Sequence, residues 1–378
     1  MNLEEESLKL HKQAHGKLEI KSKIPLNNRQ DLSLAYTPGV AQVSIEISKN
    51  KALAREYTIK HNTVAIVSDG SAILGLGNLG AEAAIPVMEG KAALFKEFAD
   101  IDAFPICLDT QDAEEIIRTV KNIAPVFGGV NLEDISSPRC FEIERRLRAE
   151  LDIPVMHDDQ HGTAIVVLAG LMNALKLKRQ KAGEVKLVIS GAGAAGLAIT
   201  ELLLESGFKN IIVCDRQGAI FAGRDNLNEE KLRIAQLTNQ GKISGTLVEI
   251  VKEAYIFVGV SSAGLLTAEM IKSMNDKPVV FALANPTPEI MPDLAKTAGA
   301  YIVATGRSDF PNQINNVLAF PGIFRGALDN HITQFTNQMF ITAATNLANQ
   351  VTDLSPDKIL PEVFDKSVVK AIASAIHS

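Results

Sequence analysis

Three things are scarce in this sequence of 378 residues: cysteine, long apolar runs and clustered positive charge. The three cysteines, Cys107, Cys140 and Cys214, lie far apart without C-x-x-C spacing, which excludes thiolate metal binding and favours a reducing compartment. The longest apolar run, AIVVLAGLMNAL, is too short to cross a bilayer, and the charged N-terminus lacks the apolar core of a signal peptide. We therefore predict a cytoplasmic protein that does not contact a membrane.

The charge and the length limit the partners and the domain count. The formal net charge is −6, and lysine and arginine are mostly scattered along the chain, so we expect no nucleic-acid partner. A chain of this length exceeds what one hydrophobic core usually organises. The sequence therefore predicts two domains with a cleft between them.

Short apolar runs alternate with helical patterns in the first half of the chain. The runs are TVAIVSD, DAFPICLD, GGVNLED and DIPVMHDD. Helices are predicted over 81–98, 112–122 and 138–151, the last with Ser137 as N-cap and Pro138 at the first helical position. This alternation predicts a sheet of parallel strands.

Acidic residues follow each of the four runs. Because the carboxyl ends of parallel strands share one edge of a sheet, we expect several of these carboxylates to converge there. Such hard oxygen ligands suit Mg²⁺ or Mn²⁺ rather than zinc. A single acid after a strand more often caps the next helix, but the repetition weakens that interpretation. The acids are Asp69, Asp109, Glu133, Asp134, Asp158 and Asp159.

A second alternating series follows a long helix predicted over 162–178. Its strands are KLVIS, NIIVCD, YIFVGV, PVVFALA and YIVAT, and from about residue 323 the pattern is helical. The fold class is therefore α/β with two domains. Residues 1–160 are predicted to form the substrate and metal domain, and residues 161–378 a Rossmann-type, doubly wound dinucleotide-binding domain with C-terminal helices.

The loop GAGAAG joins the strand LVIS to the helical stretch LAITELLLESG, and Asp215 ends the next strand. This is the whole dinucleotide fingerprint. Gly191 permits the tight turn, Gly193 lets backbone approach a pyrophosphate, and Gly196 allows close helix packing, with Asp215 binding the ribose hydroxyls. The predicted cofactor-binding residues are Gly191, Gly193, Ala194, Ala195, Gly196, Asp215 and Asn285.

A second G-x-G-x-x-G, GLGNLG at 75–80, is separated from its strand by GSAIL and has no acid at the expected spacing. This pattern alone is weak. We interpret it either as a permissive loop or as a loop that closes over a substrate at the acidic edge, and assign the nucleotide to the second domain.

Lys91 lies in the middle of an apolar stripe on the helix predicted over 81–98, whereas Lys96 falls on the polar face. A lysine facing inward has its pKa lowered by burial and can act as a general base. The alternative, slightly favoured by periodicity alone, is a packed stem whose ammonium reaches water or pairs with an acid.

Further polar positions stand in loops. Tyr36 opens the turn YTPGVA, where a phenol can serve as an acid. Asn285 follows PVVFALA, and the pair Asn315 and Asn316 lies beyond YIVATG, where carboxamides suit recognition of nicotinamide or a carboxylate. None of these assignments is specific by itself.

Together the motifs resemble those of the NAD(P)-dependent malic enzymes in their short bacterial form, over about residues 18–327. The motifs are YTPGVA, SDGSAILGLGNLG, EGKAALFK, NLED, HDDQHGTA, GAGAAG, ANPTPE and NQINNVLAFPG. The resemblance implies oxidative decarboxylation of L-malate to pyruvate and CO₂ with NAD(P)⁺ and a divalent metal, together with decarboxylation of oxaloacetate. It further implies a homodimer or a larger homo-oligomer.

The resemblance also implies roles for individual residues. Lys91 would be the base and Tyr36 the acid, and the metal ligands would be Glu133, Asp134 and Asp159. Asp158 becomes a neighbour of the ligands. Asn285 and Asn316 would contact malate or nicotinamide, and GLGNLG would belong to the substrate side.

The sequence leaves two questions open: what replaces a family arginine at Ser71, and whether the cofactor is NAD or NADP. Many larger members of the family carry an arginine that grips a malate carboxylate where this chain has Ser71. Asp215 favours a free ribose 2′-hydroxyl and so NAD, while Arg216 can accommodate the phosphate of NADP. We expect NAD.

Two other functions compete with this one. A dehydrogenase without decarboxylation, such as an amino-acid dehydrogenase with a catalytic lysine, would need no divalent ion. A nucleotide-sensing regulatory protein would keep the Rossmann fold alone, and the intact set of Tyr36, Lys91 and acids argues against it.

Overall fold

The computed structural model describes residues 3–377 and begins with a helical segment that is poorly buried. Its helices are α1 (Leu3–Ala14), α2 (Arg29–Ala35), α3 (Val40–Lys49) and α4 (Leu53–Tyr57), and none has a buried residue in the described chain. Large apolar side chains of this segment are exposed, Ile20 by 92% and Leu3 by 82%. Apolar surface of this extent is typical of a face that another protein surface covers.

Four parallel strands form the first sheet, and they match the four predicted runs. They are β1 (Thr63–Ser68), β2 (Asp102–Cys107), β3 (Gly129–Leu132) and β4 (Val155–His157), in the order β2-β1-β3-β4. Strands β1, β3 and β4 are buried throughout, because apolar side chains of helices cover both faces. These helices are α5 (Ala81–Ala99), α6 (Ala113–Ile123) and α7 (Arg139–Glu150).

Two helix starts differ from the prediction. Helix α7 begins at Arg139 with Pro138 in the N-cap position and no capping side chain, so the assignment of Ser137 as N-cap was wrong; backbone groups close the turn, Phe141 donating to the Pro138 carbonyl at 3.2 Å. The long helix α8 (Asp158–Lys178) begins earlier than residue 162. Two carboxylates in its first turn are favoured by the helix dipole.

The second sheet has the order β10-β9-β8-β5-β6-β7. Its strands are β5 (Lys186–Ser190), β6 (Asn210–Asp215), β7 (Gly218–Ala219), β8 (Ile256–Gly259), β9 (Val279–Ala282) and β10 (Ile302–Thr305). All pairings are parallel except that of β7 with β6, and β7 was not predicted. The helices of this part are α9 (Ala194–Glu205), α10 (Glu229–Leu237), α11 (Leu247–Ile250), α12 (Ala268–Ser273) and α13 (Pro292–Thr297).

The C-terminal helices pack on both halves of the chain, a point on which the sequence was silent. They are α14 (Phe320–Asp329), α15 (Asn337–Ala348) and α16 (Ser367–Ala373). Phe320 and Phe324 of α14 stack edge-on against Phe95 of α5, at ring distances of 4.7 and 5.5 Å. Helix α15 packs on α8, whose Asn173 donates to the Ala348 carbonyl at 2.8 Å.

A shared apolar core connects the two sheets. It contains Ile66 of β1, Ile189 of β5 and the central residues of α8. Short 3₁₀ turns at Ile59–Asn62, Ala124–Val126, Ala182–Glu184 and Asn316–Leu318 complete the regular structure. Within residues 3–377, no helix combines the length and the apolar character that a bilayer span requires.

Candidate active site

Three acidic side chains meet at the carboxyl edge of the first sheet. Glu133 and Asp134 follow β3, and Asp159 lies in the first turn of α8, directly after the neighbouring strand β4. One carboxylate oxygen from each lies within 4.8 Å of the others. The Asp134 backbone N–H donates to Asp159 Oδ2 at 2.9 Å, which ties the two chain segments together.

The other two strand ends do not join this cluster. Asp69, after β1, accepts from Arg139 at 2.8 Å and from the Ser71 hydroxyl at 2.5 Å. Asp109, after the edge strand β2, is exposed. Fewer acids therefore meet at this edge than their repetition along the sequence indicated. Arg139 already neutralises the carboxylate of Asp69, and the edge position of β2 leaves Asp109 in water.

The cluster fits a divalent cation by its charge. Burial, followed by the charges of Asp159 and Glu133, raises the pKa of Asp134 to about 8. Burial likewise raises the pKa values of Glu133 and Asp159. Asp134 Oδ2 is buried without a hydrogen-bond partner in the described chain. These carboxylates repel one another when they are all ionised, and one of their oxygens lacks a hydrogen-bond donor among the described residues. A hard cation such as Mg²⁺ or Mn²⁺ would relieve the repulsion and bind that oxygen.

Lys91 faces inward from α5, as the apolar stripe predicted, and Lys96 is exposed. The Lys91 ammonium lies 2.5 Å from Asp158 Oδ2, also contacts Glu133 Oε2, and sits 4.6 Å from the centre of the Phe320 ring. Of the two interpretations of Lys91, the ammonium that pairs with an acid is confirmed, and the lowered pKa is not. Burial lowers the pKa of Lys91, but the charges of Asp158, Glu133 and Asp159 outweigh it and raise this pKa well above its usual range.

Asp158 joins Lys91 to the second half of the chain. It is fully buried, and its Oδ2 accepts from Lys91 and, at 2.7 Å, from the Asn316 carboxamide. Burial raises the pKa of Asp158 to about 6, against the opposing charge of Lys91. The acid next to the cluster therefore binds the lysine, while Asp159 belongs to the cluster itself.

Sequence reasoning missed Glu144, a buried acid on α7 behind the cluster. It contacts the backbone of His157 and the side chains of Gln160 and His161. A signal for it exists, because Glu144 falls on the buried stripe of Cys140, Ile143 and Leu147. A charged residue at a core position of a helix needs partners.

The loop GAGAAG has the geometry that its motif predicts. A Cβ on Gly196 would overlap the Gly191 carbonyl oxygen, whereas nothing lies within 4 Å of a Cβ on Gly193. Helix α9 begins at Ala194, followed by Ala195, so the N-terminus of a helix directly follows this glycine, as in sites that bind phosphate. A groove of about 460 Å³ adjoins the loop and is lined by residues including Gly191, Gly193, Asp215, Arg216, Lys231 and Ser261.

Asp215, the predicted ribose ligand, is strongly paired. Arg224 donates to both its oxygens, at 2.9 and 2.5 Å, and Lys231 donates at 2.8 Å. Burial alone would raise the pKa of Asp215, but these hydrogen bonds hold it well below its usual range. The carboxylate is therefore ionised and fixed in orientation beside the groove.

The loop GLGNLG lies between the two halves of the chain. Gly75 has φ of 75°, and a Cβ there would overlap the carbonyl oxygen of Asn285, just beyond β9. In the segment GSAIL, which precedes the loop, Ala72 donates its N–H to the Asp134 carbonyl at 3.0 Å. The loop and the segment before it therefore extend from the carboxylate cluster to Asn285.

Tyr36 and Ser71 complete the predicted set. Tyr36 ends α2 and is 67% exposed, and its hydroxyl has no hydrogen-bond partner among residues 3–377. Ser71 is buried, and its hydroxyl donates to Asp69 and accepts from the Ser136 N–H at 2.9 Å. Arg139 is the cation on the same carboxylate.

Comparison with known proteins gives consistent matches over nearly the whole chain. The family described as "Malic enzyme, N-terminal domain" matches residues 15–148, and "Malic enzyme, NAD binding domain" matches residues 160–378. The chain is 55% identical to the bifunctional malic/malolactic enzyme of Bacillus subtilis, over 100% of this chain and 92% of that protein. It is 56% identical to the NAD-dependent malic enzyme of Geobacillus stearothermophilus, over 96% and 76% respectively.

A solved structure agrees as well. The NAD-dependent malic enzyme of Thermotoga maritima superposes with a TM-score of 0.95 at 50% identity, covering 98% of each chain. The dinucleotide motif of the second half falls within the matched NAD-binding domain.

Proposed function

Since the chain belongs to the malic enzyme family, we propose that its carboxylate cluster, Lys91 and glycine loop together carry out the oxidative decarboxylation of L-malate. The products are pyruvate and CO₂, with NAD⁺ or NADP⁺ reduced; oxaloacetate is decarboxylated as well. The observation that supports this most strongly is the contact of a buried lysine with Glu133 and Asp158, beside three carboxylates able to share one cation.

We propose Glu133, Asp134 and Asp159 as the metal ligands. The support is the closeness of their oxygens and the unpaired Asp134 Oδ2. When bound, the divalent ion polarises the substrate oxygen at C2 and the nicotinamide accepts hydride. What this chain contributes is three closely spaced carboxylates, which would bind the ion as they lose their protons.

Lys91 is the proposed base, and it takes the proton of the C2 hydroxyl. Lys91 must be a neutral amine to take this proton. The charges of Asp158, Glu133 and Asp159 disfavour the neutral form unless a cation compensates them. Compensation of this carboxylate charge by a bound cation would lower the pKa of Lys91. Asp158 and Asn316 hold the amine in place through the shared Oδ2.

Tyr36 is the proposed acid, which protonates C3 of the enol after CO₂ has left. Its support is the YTPGVA motif and a phenol that no hydrogen bond in the described chain engages. Asn316 and Asn285 are the proposed contacts for malate, and Asn285 also for nicotinamide. Asn285 lies against the GLGNLG loop.

The cofactor residues are proposed to be Gly191, Gly193, Ala194, Ala195 and Gly196, with Asp215 for the ribose. Their support is the open space at Gly193 and the adjoining groove. We propose 1–160 as the substrate and metal domain and 161–378 as the NAD(P)-binding domain. Helix α8, which begins at Asp158, leads from one into the other.

A homodimer or larger homo-oligomer is proposed from the N-terminal helices, which bury no residue of the described chain and expose apolar side chains. Light scattering on purified protein tests this, and a monomer at micromolar concentration would contradict it. The three cysteines are free, which supports a reducing cytoplasm as the location.

The direct test is an assay with L-malate, Mn²⁺ and either NAD⁺ or NADP⁺. We expect reduced cofactor and pyruvate in equal amounts, and no activity in EDTA. Activity that survives chelation, without pyruvate, would favour a dehydrogenase that does not decarboxylate. Parallel assays with the two cofactors measure the preference that Asp215 and Arg216 leave undecided.

A further inference from the structure

A buried carboxylate lies behind the proposed metal site without belonging to it. Glu144 is 5% exposed and projects from the core stripe of α7. A charge in such a position is tolerated only when its oxygens are satisfied by hydrogen bonds. Both carboxylate oxygens of Glu144 accept hydrogen bonds, and the donors within 3.1 Å all lie in residues 157–161.

That segment is the turn from β4 into α8. The His157 backbone N–H donates to Glu144 Oε1 at 3.0 Å, and the Gln160 side chain donates to Oε2 at 3.1 Å. His161 Nε2 lies 2.9 Å from Oε1 and 3.1 Å from Oε2. One side chain therefore fixes the turn on both sides of Asp158 and Asp159.

The ring of His157 extends this arrangement to the cluster. It is fully buried, and neither ring nitrogen has a hydrogen-bond partner among the described residues. Its Nε2 stands 3.4 Å from Asp159 Oδ2, the oxygen that also accepts from the Asp134 backbone. Because Glu144 holds the backbone of His157, it also determines how that ring lies against Asp159.

We propose that Glu144 is a positioning residue for the divalent cation, acting through the turn 157–161 to hold Asp159 in its binding orientation. This inference rests on the proposed function, in which Asp159 is a metal ligand. Outer hydrogen-bond partners of this kind typically contribute about 10–100-fold to metal affinity.

The test is a titration of the purified full chain with Mn²⁺ alone, without malate or cofactor. The electron paramagnetic resonance signal of free Mn²⁺ measures how much of the ion is bound. In Glu144→Gln the new NH₂ group is a hydrogen-bond donor, but the side chains of Gln160 and His161 beside it also donate in the native arrangement. At least one of these hydrogen bonds is therefore lost. We expect the Kd for Mn²⁺ to rise about 10-fold or more. The matched control is Glu142→Gln on the same helix, whose exposed carboxylate lies 3.4 Å from Arg146, and it should leave the Kd unchanged.

Steady-state kinetics separate positioning from other roles. With Glu144→Gln, the KM for Mn²⁺ should rise while kcat at saturating Mn²⁺ stays within about threefold, since the ligands and Lys91 are intact. An unchanged Kd in a folded Glu144→Gln protein would overturn the proposal. So would a large loss of kcat with the Kd unaltered.

A second variant covers the case in which Glu144→Gln does not fold. His161→Gln alters one partner of Glu144, keeps the carboxylate and affects a side chain that is partly exposed. It should weaken Mn²⁺ binding in the same direction, by a smaller factor, and an unchanged affinity there would contradict the proposal. Failure of the wild-type chain to bind Mn²⁺ would instead refute the metal site of the proposed function.

Discussion

The two proposed binding sites both lie at the carboxyl edge of a parallel sheet, and they are opposite in kind. At the carboxyl edge of the first sheet, buried carboxylates crowd together, and burial and mutual repulsion raise the pKa of Asp134 to about 8. At the carboxyl edge of the second, the GAGAAG loop offers backbone N–H groups, and the one carboxylate, Asp215, is already held by Arg224 and Lys231. At the first edge the acids outnumber the two cations that contact them, Lys91 and Arg139, whereas at the second edge two cations hold one carboxylate.

The difference shows what each site depends on. The first is built from side chains, so it depends on their charges and on the cation that compensates them. The second is built from backbone, so it depends on the absence of Cβ atoms and on the start of α9. Substitutions at the two edges should therefore have different consequences, and the following predictions test that difference.

The largest effect is expected from Lys91→Ala, which removes the proposed base from the side-chain site. We expect kcat to fall by about 10³-fold, because general bases contribute on the order of 10²–10⁴. Added small primary amines should restore part of the rate. Lys96→Ala is the control, since Lys96 is on the same helix but exposed, and a variant of Lys91 that kept a tenth of the activity would refute the role.

Tyr36→Phe tests whether the reaction at the first edge uses the Tyr36 hydroxyl, which lies in the exposed N-terminal segment, as its proton donor. We expect malate turnover to fall by about 10²-fold, because the enol at C3 loses its proton donor. Reduction of oxaloacetate, which does not require that proton, should be spared. Tyr57→Phe in α4 is the matched control, and an equal loss of both activities would show that Tyr36 is not the donor.

The pH dependence of metal binding tests the charge imbalance directly. Asp134, with a pKa of about 8, is largely protonated at pH 6 and must lose its proton before it can bind a cation. The affinity for Mn²⁺ should therefore rise by about tenfold per pH unit from pH 6 to 7 and level off above about 8. Calorimetry at several pH values measures this, and NAD⁺ binding at the other edge serves as the comparison.

The opposite result, a Kd for Mn²⁺ independent of pH from 6 to 8, would mean that Asp134 is ionised without the metal. Asp134→Asn should weaken the binding and also reduce its pH dependence, since the amide does not titrate.

The smallest effects are expected at the glycine loop, where two positions form a matched pair. A methyl group on Gly196 would overlap the Gly191 carbonyl, so Gly196→Ala should lower the free energy of unfolding by about 1–3 kcal/mol. Gly193 has φ of −97° and free space around it, so Gly193→Ala should leave stability unchanged and raise the KM for the cofactor. Urea unfolding and cofactor titration measure the two quantities, and equal destabilisation would contradict the pair.

Much of the fold and of the site could be predicted from local patterns. The strands of both sheets other than β7, the stripe that turns Lys91 inward and the GAGAAG motif are properties of neighbouring residues, which the 2- and 3.6-residue periods expose. The early start of α8 was missed because Asp158 and Asp159 were counted with the strand, although acids also favour a helix N-terminus. Glu144 was missed because its partners are distant in the chain.

The sequence by itself determined most of the elements, the parallel direction of every strand except β7 and the chemical types at the strand ends. These follow from local periodicity and from the rule that parallel strands share an edge. Tertiary structure alone decided which charges meet. It paired Asp69 with Arg139 and held Lys91 between Glu133 and Asp158, so that the pKa of this lysine is raised rather than lowered. The physical reason is that a pKa depends on the distances between charges, and these are set by contacts between residues far apart in the chain.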